Sequence, residues 1–143
     1  MKKKKALRIA CLGVGKHATK NILNVIKDSS EFELVAIHSR SNLIDISKLY
    51  NCKFFNDENI ILRDKSIDVI YISSPNSFHY PMAKKSLLKG KNVIVEKPAT
   101  INFYQAQKLI NIARQKNLAL LEGLMYRFHN QFQQIKKIIE KKN

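Results

Sequence analysis

Apolar residues fall along this chain in short solid blocks, separated by segments where they recur three or four positions apart. Leu7 to Leu12 is apolar except for Arg8, and a run that short predicts a strand covered on both faces. From Lys16 to Asp28, the positions Ile22, Leu23, Val25 and Ile26 share one stripe, which predicts a helix. Phe32 to Ile37 reads as a second strand, Leu43 to Tyr50 as a short helix and Cys52 to Phe55 as a brief third strand. A helical turn over Glu58 to Leu62 follows. The second half repeats the plan, with a strand over Asp68 to Ser73, a helix over Tyr80 to Lys89 closed by Gly90, and a strand over Asn92 to Glu96. Asn102 and Gln105 are spaced as a capping box, opening a helix whose apolar stripe is Ala106, Leu109, Ile110 and Ala113. Leu118 to Leu121 makes a sixth strand. Strands alternating with helices at this spacing imply an α/β fold with a doubly wound parallel sheet and helices on both faces.

One amphipathic segment lies outside that plan. Phe128, Phe132, Ile135, Ile138 and Ile139 form an apolar helix face, with Lys136, Lys137 and Lys141 elsewhere on it. That face can fold back on the sheet, dimerise, or mark the join to a second domain, and the last is the favoured reading.

The turn after the first strand carries the first chemical signal, Gly13-Val14-Gly15-Lys16-His17-Ala18. Gly13 can take backbone angles closed to other residues, and Gly15 has no side chain to hold a phosphate away. Ala18 stands where close helix–strand packing allows glycine or alanine. The amide groups opening the next helix then face a pyrophosphate. Such a glycine pair is common in plain strand-to-helix turns, but here strand, helix and strand occupy about thirty residues, as a dinucleotide-binding βαβ unit requires. The pattern is therefore a Rossmann-type sheet of about six strands.

Composition narrows the class. A length of 143 residues suits one domain, and 45% apolar content suffices for its core. Cys11 and Cys52 sit in apolar runs without metal-ligand spacing, which reads as free thiols in a reducing cytoplasm. Met1 to Lys5 resembles the start of a leader, but Arg8 interrupts an already short apolar segment. No stretch approaches a membrane span, so the expected location is cytoplasmic, with no membrane partner. The net charge of +15 raises nucleic-acid binding. Lysines scattered through every helix, without interleaved aromatics, argue instead for solvated faces and help with a phosphorylated cofactor.

In a doubly wound sheet, ligands bind beyond the carboxyl ends of the strands, where strand order reverses. That rule selects Gly13 to His17, His38 to Ser41, Ser73 to Asn76, Glu96 to Pro98, and Glu122 onwards. After the second strand the chain offers His38-Ser39-Arg40-Ser41, with no carboxylate until Asp45. A carboxylate bonds the ribose 2′-hydroxyl of NAD, whereas a guanidinium grips a 2′-phosphate bidentately and a hydroxyl adds a bond. The expected cofactor is NADP, with NAD as the alternative; a solvated Arg40 is the competing reading. In Glu96-Lys97-Pro98, neighbours on an extended chain point to opposite faces, and Pro98 keeps Lys97 extended. If Lys97 faces the crevice, its ammonium can bond a substrate oxygen that alternates between hydroxyl and carbonyl, while Glu96 braces the structure behind. A surface salt bridge at a strand end is the alternative. His79 and His129 are proton-carrier candidates that read equally as structural residues. Lys16 and His17 can reach a phosphate or simply sit at a solvated helix start.

Together these residues resemble the glucose-fructose oxidoreductase/inositol dehydrogenase (Gfo/Idh/MocA) family. Its marks here are the glycine turn, Ser74-Pro75-Asn76 with His79, Glu96-Lys97-Pro98, and the segment from Glu122 through Tyr126-Arg127-Phe128-His129. The resemblance implies NAD(P)-dependent oxidation or reduction of a small-molecule sugar, cyclitol or polyol. It implies Lys97 as the catalytic lysine and Pro75-Asn76, beside Ser73, Ser74 and His79, at the nicotinamide ribose. It also implies Tyr126 and Arg127 near cofactor or substrate. Residues 1–122 become the NAD(P)-binding domain, and 123–143 the junction and helix leading to a C-terminal substrate and oligomerisation domain that this chain does not carry. Asn130 departs from the proline often found there. Three readings follow: the nucleotide half of such an oxidoreductase with little turnover alone, a non-catalytic NADP sensor that docks a partner, and a basic nucleic-acid-binding domain. A homo-oligomer or a second-domain partner belongs to the first.

Overall fold

The computed structural model describes residues 5–141. Its elements alternate as β1 (Leu7–Leu12), α1 (Leu23–Asp28), β2 (Phe32–His38), α2 (Ile44–Leu49), β3 (Lys53–Phe55), α3 (Glu58–Arg63), β4 (Val69–Ile72), α4 (Asn76–Leu88), β5 (Asn92–Val95), α5 (Phe103–Gln115), β6 (Leu120–Glu122) and α6 (Asn130–Glu140). The strands form one parallel sheet in the order β3-β2-β1-β4-β5-β6. Strand order reverses between β1 and β4, which opens a crevice above their carboxyl ends.

Strand parity divides the core. On β1, Ile9 and Cys11 face one layer while Ala10 and Leu12 face the other, and on β4 Val69 and Tyr71 part from Ile70 and Ile72 in the same way. The first layer is closed by Ala18, Leu23 and Ile26; the second by Ile61, Leu62, Ala83, Leu87, Leu109 and Ala113. This two-sided burial is why the strands read as solid apolar blocks. A bulge breaks the alternation: Ile9 pairs Leu34 but Ala10 pairs Ala36. The extra residue, Val35, returns Ile37 to the layer that holds Leu34.

Several boundaries differ from expectation. The helix after the glycine turn contains a π-helical segment, Ala18–Ile22, before α1, and Val25 is 67% exposed instead of joining its stripe. On α5 the expected cap is present, with Asn102 accepting the Gln105 N–H at 3.0 Å. Its core face is turned slightly, because Ile110 is exposed while Ile112 packs inward. α4 begins at Asn76, four residues before the expected Tyr80. Pro81 lies inside the helix, where its missing N–H leaves the Ser77 carbonyl without its helical donor. β6 begins two residues late, after Asn117 takes a positive φ of 53°. Nothing on α6 is buried. No helix among the described residues is long and apolar enough to cross a membrane.

Candidate functional site

The glycine turn is braced from β2. The Gly13 N–H donates to His38 Nδ1 at 3.2 Å and the Val14 N–H to the His38 carbonyl at 2.9 Å. His38 Nδ1 must be unprotonated to accept, and burial holds its ring pKa below the usual histidine value, opposed by the Glu58 and Asp57 carboxylates. Gly13 has φ +71°, and a Cβ there would lie 2.7 Å from Ser74 Cα. Glycine is thus required both by the backbone and by the approach of the loop after β4. Gly15 is different. Its φ is not positive and a Cβ would meet nothing within 4 Å, so no contact within the chain demands a bare backbone there.

Beyond this turn lies a cleft of about 240 Å³, lined by Gly13, Val14, Gly15, His38, Ser39, Arg40, Ser41, Ser74, Pro75, Phe78 and Met82. No lining residue is a carboxylate. Arg40 lies with its guanidinium carbon 5.5 Å from the centre of the Phe78 ring, a cation–π contact that holds it over the cleft wall. Ser39 Oγ accepts the Ser41 N–H at 3.2 Å. Ser74 is 7% exposed and its Oγ is buried without a hydrogen-bond partner, a cost that a ligand oxygen in the cleft would relieve. Bare backbone at Gly15, an orphaned hydroxyl and an arginine held over the cleft wall by Phe78 together fit a phosphorylated dinucleotide. A shallower groove on the other side of Gly15 includes Lys16, Thr19 and Lys20.

The loops after β4, β5 and β6 meet beside the cleft. Glu96 turns inward: its Oε1 accepts the Tyr71 hydroxyl and lies 3.7 Å from His17 Nε2. Burial, then the Glu96 bond, raise the Tyr71 pKa far above its ordinary value, so the phenol remains a donor. Lys97 is exposed, and among the described residues nothing bonds or pairs with its ammonium. The Lys97–Pro98 peptide is cis. His79 is 1% exposed, its Nδ1 2.8 Å from the Pro98 carbonyl and its Nε2 2.7 Å from the Ser74 carbonyl. Glu122 accepts the Ala99 N–H at 2.8 Å. Ser73 Oγ reaches the Gly13 carbonyl at 3.5 Å.

Of the residues singled out from sequence, the cleft gathers Gly13, Val14, Gly15, His38, Ser39, Arg40, Ser41, Ser74 and Pro75. Lys16, His17, Ser73, Asn76, Glu96 and Lys97 surround it without lining it. His79 braces two loops from beneath. Tyr126 stacks edge-on with Phe132 at 5.1 Å and, with Met125 and Ile135, lines a separate open groove; Arg127 sits beside it, its carbonyl bonded by Gln133. His129 caps α6, accepting the Gln131 N–H at 3.3 Å. Phe78 lies before the expected helix start at Tyr80, and Met82, inside that helix, lacks any local signal that it reaches the cleft. Cys11 is buried and Cys52 half-buried; burial pushes the Cys52 thiol up to about 11.

The family model described as oxidoreductase family, NAD-binding Rossmann fold (Gfo/Idh/MocA) matches residues 7–124. The chain belongs to this family. It is 26% identical over 138 residues to a dTDP-3,4-didehydro-2,6-dideoxy-alpha-D-glucose 3-reductase from Streptomyces violaceoruber, covering 95% of this chain and 40% of that protein. It is 28% identical to the scyllo-inositol 2-dehydrogenase (NADP(+)) IolU of Bacillus subtilis, over 94% of this chain and 42% of that protein. The structure of the 3-ketoreductase KijD10 from Actinomadura kijaniata, in complex with NADP and TDP-benzene, superposes with a TM-score of 0.89 at 24% identity, covering 96% of this chain and 43% of that one. That likeness is one of fold. The chain thus spans about two fifths of the length of these relatives.

Proposed function

We propose that residues 1–122 of this Gfo/Idh/MocA chain bind NADP in preference to NAD. They form the dinucleotide half of an oxidoreductase acting on a sugar, cyclitol or related polyol. The cleft carries the reading: a bare glycine turn and Arg40 share its lining, and no carboxylate does. A carboxylate would repel a 2′-phosphate, while a guanidinium binds one bidentately. Two relatives, the NADP(+)-dependent IolU and a D-xylose 1-dehydrogenase (NADP(+)) from Hypocrea jecorina that is 31% identical over 108 residues, support the same cofactor.

In this reading the amides of the glycine turn hold the pyrophosphate, the Ser74 hydroxyl gives its unused bond to the ligand, and Arg40 with Ser39 holds the 2′-phosphate. When bound, the cofactor supplies or takes up a hydride. Lys97 offers its ammonium to the substrate oxygen, offsetting negative charge that develops there, while Glu96, tied to Tyr71, faces away. Asn76 lies at the nicotinamide ribose. Residues 123–143 are the junction toward a substrate and oligomerisation domain, so negligible turnover is expected from residues 1–143 alone. A cytoplasmic location belongs to the same proposal.

The test is fluorescence titration with NADPH and NADH, on the wild type and Arg40→Ala. The variant is expected to weaken NADPH about tenfold or more and NADH less than about twofold. Equal losses overturn the role of Arg40; a wild type that binds neither cofactor overturns the proposal. A non-catalytic NADP sensor that docks a partner is the second reading, favoured by Ile135, Ile138 and Ile139, all about half exposed on α6. Turnover of a polyol panel after a second-domain chain is added would exclude it.

A further inference from the structure

The peptide group that joins Pro98 to Ala99 is gripped at both poles. Its carbonyl oxygen lies 2.8 Å from His79 Nδ1, and its N–H donates to Glu122 Oε1 at 2.8 Å. The other nitrogen of the same ring, Nε2, lies 2.7 Å from the Ser74 carbonyl. Ser74 and the proline after it line the cleft. One buried ring therefore spans from the cleft wall to the turn that carries Lys97, and one carboxylate at the end of β6 fixes that turn from the opposite side.

We infer that His79 and Glu122 are positioning residues, which clamp the Pro98–Ala99 peptide and thereby couple the Ser74–Pro75 wall of the cofactor cleft to the placement of Lys97. The inference rests on the reading of Lys97 and the cleft given above. Carbonyl oxygens only accept, so a ring nitrogen that carries its hydrogen donates to the carbonyl it faces. The peptide dipole is aligned with this arrangement, its oxygen toward the imidazole and its hydrogen toward the carboxylate, and charge-assisted bonds in such a chain reinforce one another. His79 is 1% exposed, so water does not replace these bonds. A glutamine in its place has a single nitrogen and cannot span both carbonyls.

The test uses the isotope-labelled chain and NADPH. In the wild type, NMR is expected to show a downfield Ala99 amide that shifts further when NADPH binds. Glu122→Ala is expected to move that amide upfield, with Glu122→Gln, which keeps an acceptor oxygen, retaining most of the shift. His79→Gln should abolish the response of Ala99 to NADPH. The dissociation constant for NADPH should rise about fivefold in His79→Gln and Glu122→Ala, and less than about twofold in Glu122→Gln. An Ala99 amide unmoved in Glu122→Ala overturns the clamp, as does wild-type affinity in both variants. If the wild type binds no NADPH, the proposed function fails while the ligand-free spectra still decide the clamp. If His79→Gln does not fold, the Glu122 pair and the wild-type spectra decide it.

Discussion

At the amino edge of the sheet, Asp68 Oδ2 accepts the Arg8 N–H at 2.8 Å, Asn92 bonds both the Asp68 carbonyl and the Ala119 N–H, and Lys91 Nζ donates to the carbonyls of Asp64 and Ile67. Burial lowers the Lys91 pKa, opposed by the Asp64 and Asp68 carboxylates. One nitrogen there, Arg8 Nε, is buried without a partner. At the carboxyl edge the polar groups are spent differently. The Ser74 hydroxyl bonds nothing, Gly15 faces open space, and Lys97 has no partner among the described residues. The amino edge uses its polar groups to fix register. The carboxyl edge also ties His79, Glu96 and Glu122 into the chain but leaves the Ser74 hydroxyl, Gly15 and Lys97 unengaged, as the proposed cofactor site requires. The same chain meets both demands because strand direction puts every loop of one kind on one side.

Substitutions sharpen this contrast to different degrees. The largest effect is expected for Gly13→Ala, whose Cβ would meet the Ser74 backbone at an unfavourable φ; about 3 kcal/mol of stability should be lost in urea denaturation. Next is Lys91→Met at the opposite edge, which strips two carbonyls of their donor. A loss of about 2 kcal/mol is expected, with NADPH affinity unchanged; a fall in affinity would show that the two edges are not independent. Gly15→Val should leave stability within about 0.5 kcal/mol yet weaken NADPH about tenfold in the same titration. A Gly15→Val variant that binds normally would break the comparison, because that position would then serve no ligand.

The smallest effect is a pH dependence. Because burial lowers the folded pKa of His38, the unfolded chain takes up its proton first as pH falls. The contribution of the neutral ring is complete above the usual histidine value near 6.5. It is lost as pH drops below that value toward the folded pKa. Thermal melts between pH 7.5 and 5 should therefore show a falling midpoint, and His38→Gln should flatten that slope.

Much of the architecture is legible in the sequence. Leu7 to Leu12 was bounded correctly because a strand buried on both faces has no polar alternation to blur its ends, and Asn102 capped α5 because its side chain bonds three residues away. The expected start of α4 at Tyr80 falls four residues late, because the helix is held by packing of Ala83 and Leu87 on the sheet and not by a local opening signal. The cleft was legible as a set of loops but not as a list of contacts. Phe78 enters it only because α4 begins early enough to carry that ring beneath Arg40.

The sequence by itself determined the alternation of elements, the parallel sheet, the glycine turn and the absence of a carboxylate after β2. These are local properties, set by side-chain periodicity and backbone freedom within a few residues. Only the tertiary structure decided that His38 braces Gly13, that Glu96 turns to Tyr71, and that His79 and Glu122 share one peptide. Each of those bonds joins residues 19 to 25 positions apart, and no periodic pattern records them. They exist because the sheet brings the carboxyl ends of its strands side by side.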